Sequence, residues 1–225
     1  MTADPQISLN ARTPAEAAGP AYFAGDRAAA LAALRTPALA CIRCDLKLTR
    51  TQVVFGVGNP DAQLILFGEA PGADEDARGL PFQGRAGQVL NGLLADAGIR
   101  REEIWVSNTV KCRPTKVEGK RVSNRPPRVG EVRACAIWRE GEMDLLKPPL
   151  ICCLGATAAA AILGREVKMT KERGVWFPSP AGAQVLITYH PSYVMRQIGP
   201  DYDRIRGEAL VDLQKVATRL AETKS

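Results

Sequence analysis

The sequence predicts an α/β protein, a central and mainly parallel four-stranded sheet with helices on both faces. Three observations carry this. Four short apolar runs, at 63–67, 104–108, 150–154 and 185–189, have the length and composition of buried strands. Helical patterns at 86–97, 128–143 and 156–163 alternate with them, and such alternation gives a parallel sheet covered on both sides. Three of the runs lead into a chemically useful polar group: Glu69, Asn108 and His190, the single histidine of the chain. In an open parallel sheet, ligands bind beyond the carboxyl ends of the strands. A carboxylate, an amide and an imidazole delivered to that edge form a candidate active site.

Taken in order, residues 1–25 are rich in Ala and Pro and read as a loose arm. Asp26 to Arg35 reads as a short helix with an Asp cap, stopped by Pro37. The expected division is therefore an arm and short helix over 1–36, then a single domain over 37–225. Cys41-Ile42-Arg43-Cys44 follows the helix. Lys111 to Pro127 is the longest irregular stretch between two regular elements. Cys152 and Cys153 lie inside the strand at 150–154, where they serve as small hydrophobes. The last helix is the clearest, because Tyr202, Ile205, Ala209, Leu213, Val216 and Leu220 share one face. That stripe is core packing.

Composition narrows the function. No apolar run approaches the ~20 residues of a membrane span. Met1 to Asn10 lacks a charged region followed by an apolar one, so the expected location is cytoplasmic. Net charge is +6, from 30 Lys and Arg against 24 Asp and Glu. All of that excess falls in residues 111–133. There Lys111, Arg113, Lys116, Lys120, Arg121, Arg125, Arg128 and Arg133 face only Glu118 and Glu131. A basic excess confined to one loop and helix start is a polyanion footprint. Six cysteines in a cytoplasmic chain are not a disulfide framework. Cys41, Cys44, Cys112 and Cys135 each lie in or beside a polar, basic stretch. Four thiolates close a tetrahedral zinc site or hold an iron–sulfur cluster, and spacing does not choose between them. Metal at Cys112 and Cys135 would tie both ends of the basic loop as a structural staple.

These motifs together resemble the iron–sulfur uracil-DNA glycosylases of family 4. The matching stretches are Cys41–Cys44, Gly68-Glu69-Ala70-Pro71-Gly72, Glu75-Asp76, and Gly79-Leu80-Pro81-Phe82-Gln83-Gly84-Arg85-Ala86-Gly87. They continue with Asn108-Thr109-Val110-Lys111-Cys112-Arg113-Pro114, Asn124-Arg125-Pro126-Pro127, Cys135, Leu154-Gly155-Ala156-Thr157-Ala158 and His190-Pro191-Ser192. They run in order over about residues 38–220. The resemblance implies a three-layer α/β/α sandwich, a [4Fe–4S] cluster on Cys41, Cys44, Cys112 and Cys135, and excision of uracil from DNA. One feature departs from the family. Thr115–Ser123 lengthens a link that is very short in family 4, and the longer basic loop resembles the X-type relatives that trap themselves covalently on the abasic sugar. Those carry a histidine where this chain has Asn124 and a Gln where it has Ala70.

The implied mechanism assigns roles. The enzyme extrudes the base from the stack. Lys120, Arg121, Arg125, Ser192 and Arg196 would bind DNA, and Tyr193, Val194 or Met195 would fill the vacated stack. Phe82 would stack on the flipped base, with Gly68, Ala70, Gly72 and Asp76 completing the substrate pocket. An Asn108 amide donates to uracil O4 and accepts from N3, whereas cytosine reverses both and leaves buried groups unpaired. His190 donates to O2 as charge develops there. Glu69 orients water and opposes the sugar cation, with Asn124 helping to position that water. The expected working form is a monomer acting on uracil-containing DNA, single- or double-stranded, with free uracil as product. Two other readings fit part of the sequence: a covalent X-type trap, and a non-enzymatic metal-stapled DNA-binding module.

Overall fold

The computed structural model describes residues 26–223, so the expected arm over 1–25 lies outside the described residues. In chain order the helices are α1 (Arg27–Leu39), α2 (Ala73–Arg78), α3 (Arg85–Asp96), α4 (Val129–Leu146), α5 (Ala156–Leu163), α6 (Met169–Glu172), α7 (Pro191–Met195) and α8 (Pro200–Glu222). The strands are β1 (Val57–Gly58), β2 (Leu64–Gly68), β3 (Trp105–Asn108), β4 (Thr115–Glu118), β5 (Arg121–Asn124), β6 (Leu150–Leu154), β7 (Trp176–Pro178) and β8 (Gln184–Thr188). Among the described residues no helix is long and apolar enough to cross a membrane.

The main sheet runs β1-β3-β2-β6-β8-β7. Its four central strands are the expected ones, and all three of their pairings are parallel. The expected four-stranded sheet gains two short antiparallel edges, β1 on β3 and β7 on β8. Strands of two and three residues lack the apolar run that marks a strand in sequence, so pairing alone defines them.

Period-two alternation sorts the strand side chains into two cores. Ile65, Phe67, Ile151, Cys153, Val185 and Ile187 pack with α1, α4 and α5 on one face. Leu64, Leu66, Leu150, Cys152 and Leu186 pack with α3, α7 and α8 on the other. The result is three layers, α/β/α. Cys152 and Cys153 are both fully buried, one on each face. In α8, Ile205, Ala209, Leu213, Val216 and Leu220 are buried as the stripe requires.

Two expectations about local structure change. α1 does not stop before Pro37 but runs through it to Leu39, past the boundary drawn at residue 36. Proline removes one backbone donor, but Ala33, four residues earlier, is exposed, and water can reach its carbonyl. Burial of Leu31, Leu34 and Ala38 against α4 and the core then outweighs the local penalty. The second change is in the basic stretch. Rather than an irregular loop, it folds into an antiparallel hairpin, β4 against β5, pairing Thr115 with Asn124 and Glu118 with Arg121. Its two-residue turn starts at Gly119, whose φ of +60° suits a glycine in the tight turns that hairpins favour.

A buried ion pair locks the end of β3 to α4. Lys111 Nζ lies 2.5 Å from Glu142 Oε2, and both side chains are shut off from solvent. Lys111 Nζ also donates to Ser107 Oγ (2.6 Å) and to the Asn108 carbonyl (2.9 Å). Glu142 Oε1 accepts from the Gly56 N–H at 3.0 Å, and Ser107 Oγ bonds the same carboxylate. Breaking a buried pair strands the other charge. Glu142→Leu should therefore lower stability by about 3–5 kcal/mol in urea unfolding. The double variant Lys111→Met/Glu142→Gln removes both charges and keeps an acceptor for Gly56. It should lose clearly less than the single variant.

Candidate active site and cysteine cluster

The parallel register aligns the carboxyl ends of the central strands. Gly68 pairs with Asn108, β6 lies beside β2 and β8 beside β6, so the edge reads Asn108, Glu69, Gly155 and His190 from strand to strand. Beyond it opens a cleft of about 880 Å³. Its lining includes Glu69, Ala70, Gly72, Phe82, Asn108, Asn124, Arg125, His190, Ser192 and Arg196, most of the residues singled out from sequence. The topology thus gathers them from five separate segments.

Glu69 and His190 are held by partners, whereas the Asn108 side chain is not. Glu69 Oε2 accepts from Thr157 Oγ1 at 2.6 Å, and Thr157 stands in the first turn of α5. Asn108 is buried, and among the described residues its side-chain amide has no protein hydrogen bond, which leaves its donor and acceptor for a ligand. Gly68 makes this packing possible: a Cβ there would fall 2.4 Å from Asn108 Oδ1 and 2.6 Å from the Phe82 ring. Phe82 itself has a φ of +56°, a costly conformation for a bulky residue. Glu75 stabilises it from below. Its carboxylate accepts from the N–H groups of Gly72, Gln83 and Gly84 at 2.8–2.9 Å and ties the two loops flanking Phe82.

His190 caps α7. Its Nδ1 accepts from the Ser192 N–H at 3.1 Å and lies 2.7 Å from Ser192 Oγ. An accepting Nδ1 puts the ring proton on Nε2. Burial of the ring, then the Arg196 charge, push its pKa down to about 4, against a smaller upward pull from Glu75. The site therefore presents a neutral imidazole with an N–H donor. Behind it, Tyr189 stacks with Tyr193 at 5.2 Å and donates to Glu208 Oε2 at 3.0 Å, which braces that wall of the cleft.

The four cysteines singled out line one cavity, with Trp138, Arg50 and Lys111. Each sulfur faces an N–H donor. Trp138 Nε1 bonds Cys41 (3.2 Å), Arg50 bonds Cys112 (3.4 Å), and the Lys111 backbone bonds Cys135 (3.2 Å). The Leu46 backbone serves Cys44. Burial pushes the Cys112 thiol up to about 11 and Cys135 up to about 12, so thiolates there require a compensating cation. Among the described residues no group of three or more His, Cys, Asp or Glu side chains is arranged to hold a metal ion.

The residues singled out from sequence fall in different places. Asp76 is buried away from the cleft, its carboxylate accepting from the Thr51 N–H at 2.9 and 3.0 Å. Arg125 lines the cleft, but its guanidinium is committed to Glu131 (2.6 and 2.8 Å), the Thr115 carbonyl and the Pro126 carbonyl. It clamps the hairpin base to α4 and has little left for phosphate. Val194 is fully buried in the core, whereas Tyr193 and Met195 line the cleft. Lys120 and Arg121 are exposed at the hairpin turn, outside the cleft lining. Three contributors were given no individual site role from the sequence: Thr157, Tyr189 and Arg113, whose Nε donates to Asn124 Oδ1 at 2.7 Å.

The family model described as the Uracil DNA glycosylase superfamily matches residues 55–214. The type-4 uracil-DNA glycosylase of Thermotoga maritima is 40% identical over 176 residues, 78% of this chain and 86% of that protein. The type-4 enzyme of Archaeoglobus fulgidus is 34% identical over 185 residues, 79% and 87% of the two chains. A type-5 uracil-DNA glycosylase of Thermus thermophilus is 33% identical over 187 residues, 75% and 80%.

Because His190 is the single histidine, its titration can be followed by NMR without ambiguity. The ring should hold the neutral Nε2–H form from pH 8 to below pH 5. The unfolded chain takes its proton near 6.5, the folded ring only near 4. The stability this group contributes is thus fully present above about 6.5 and is lost as pH falls through about 4. A midpoint near 6.5 in the folded protein would contradict the geometry.

Proposed function

The chain belongs to the uracil-DNA glycosylase superfamily, and from that premise we propose how its cleft releases uracil. Its function is that of a DNA-repair hydrolase that cleaves the N-glycosyl bond of uracil in DNA. The observation that supports the residue roles is the Asn108, Glu69 and His190 alignment at one sheet edge, each lining the cleft.

A base inside a duplex must leave the stack, at a cost of roughly a few kcal/mol. Phe82 stacks on the flipped uracil. The Asn108 amide donates to O4 and accepts from N3–H, and its carbonyl bond to Lys111 holds the backbone that aims it. Cytosine inverts both bonds and leaves buried groups unpaired. As the glycosidic bond breaks, its electron pair moves into the uracil ring and the sugar becomes cationic. Neutral His190 meets the charge growing on O2 with Nε2–H, and being uncharged it does not repel the sugar cation. Glu69, oriented by Thr157, opposes that cation and directs water to the sugar carbon, with Asn124 on the far side of the water. Water supplies a hydroxyl to the sugar and a proton to the departing uracil. Tyr193 or Met195 fills the vacated stack, and Lys120, Arg121, Ser192 and Arg196 hold phosphates. The working form is proposed to be a cytoplasmic monomer.

The four cysteines suit a [4Fe–4S] cluster. Soft thiolates are its ligands, and an N–H donor faces every sulfur. When bound, the cluster supplies cross-linking charge that ties α1, the start of the hairpin and α4. The purified protein should be brown, with about four irons per chain. Cys112→Ala should lose that colour, and Cys152→Ala should keep it. A colourless, fully active zinc protein would overturn the assignment.

Release of free uracil from a uracil-containing single strand tests the reaction itself and separates it from a non-enzymatic binding module. Asn124→His tests the placement of the hairpin at the sugar. A positioned imidazole competes with water because its approach is no longer bimolecular. Wild type should turn over, while the variant should accumulate some DNA adduct that survives boiling in detergent. Undiminished turnover with no adduct would remove Asn124 from the sugar.

A further inference from the structure

The hairpin has two unlike faces. Cross-strand pairing sets Thr115, Val117, Val122 and Asn124 on one, and Lys116, Glu118, Arg121 and Ser123 on the other. The second face is anchored at its base, where Ser123 Oγ is closed off from water. The first is open. Asn124 lines the cleft, and beyond it Val117 and Val122 are 63% and 53% exposed. Two β-branched side chains thus pair across the ribbon and continue the cleft wall outward, and none of the described residues buries them.

Resting on the uracil-DNA glycosylase reading, we propose that the Val117–Val122 pair is a ledge for the bases that flank the flipped uracil on its own strand, and that it acts on unpaired DNA. Distance supports this occupant. Two residues along a strand span about 7 Å, so the ledge starts about two 3.4 Å base steps from Asn124. Chemistry supports it as well. Methyl groups gain nothing from phosphate but cover the face of a base, and the phosphates have Lys120 and Arg121 at the adjoining turn. In a duplex the flanking bases are stacked and paired, whereas in a single strand their faces are open. A protein partner is a poorer fit, because two valines offer a small fraction of the area that a stable protein interface buries.

The test reads binding by fluorescence anisotropy, with Val117→Thr/Val122→Thr, which keeps both side chains β-branched. On a uracil-containing single strand the variant should bind about ten-fold more weakly than wild type. Wild type should lose a similar factor on a strand whose two neighbours on each side of the uracil lack bases. The variant should lose nothing further on that strand, since two changes that remove one contact are not additive. On the matched duplex the variant should stay within about two-fold of wild type. Additive losses, equal loss on the duplex, or no loss at all would overturn the ledge. An unchanged unfolding midpoint excludes a folding defect, as both side chains are exposed. Uracil release by wild type decides the glycosylase reading separately. Its absence, with the non-additive binding intact, would remove the reaction and leave the ledge standing.

Discussion

The buried pair between Lys111 and Glu142 is the constraint on which the site depends. A charge taken out of water is tolerated only when it is itself paired and hydrogen-bonded. Here Ser107, Gly56 and the Asn108 carbonyl complete the shell. That requirement dictates the path of the chain. The backbone leaving β3 must turn so that Lys111 reaches inward, which fixes the carbonyl of Asn108. The same residue's N–H reaches Cys135, and the next residue is Cys112. Glu142 lies two turns beyond Cys135 on α4, so one helix carries both the counter-charge and one of the four gathered cysteines. Base recognition and the cysteine cavity are therefore two outlets of a single rigid junction.

In the proposed reaction the cleft divides its labour by protonation state and restraint. A carboxylate that opposes a sugar cation must stay charged and correctly aimed, and a bond from Thr157 provides the aim. A group that meets negative charge on the leaving base must donate a proton without carrying a charge of its own. Burial of the His190 ring beside Arg196 secures that, and Ser192 selects the tautomer. Phe82 shows the cost of such placement. Its strained backbone persists because Glu75 collects three N–H groups from the loops around it. Arg125 has the complementary part on the other wall. Its bonds to Glu131 set the base of the hairpin, so the charge that looked like a phosphate contact holds the loop that carries Asn124.

Local signals sufficed wherever local physics dominates. Apolar runs of strand length, 3.6-residue periodicity and a buried stripe on the last helix are properties of contiguous residues, and the central strands and major helices follow from them. Glu69, Asn108 and His190 were legible for the same reason, because a parallel sheet puts strand ends on one edge whatever the details. The edge strands β1 and β7 were not, since two or three residues hold no period and exist only through their neighbours. The β4–β5 hairpin was hidden by its charge. Alternation there sets polar against two exposed valines, which resembles a solvated loop until the strands are paired.

By itself, then, the sequence determined the α/β layers, the active edge, the four-cysteine set and a family resemblance over most of the chain. Only tertiary structure decided which of the polar residues are free to act. Asp76 and Arg125 carry the right chemistry, but backbone groups and Glu131 had already taken it up. Asn108 retains its amide because Lys111 bonds its carbonyl instead. Val194 and Tyr193 are neighbours in sequence, yet one is core and the other lines the cleft, because a helical turn faces them apart. A residue type states what a side chain can bond. Whether that capacity is left for a ligand depends on partners distant in sequence, and those partners are set by packing.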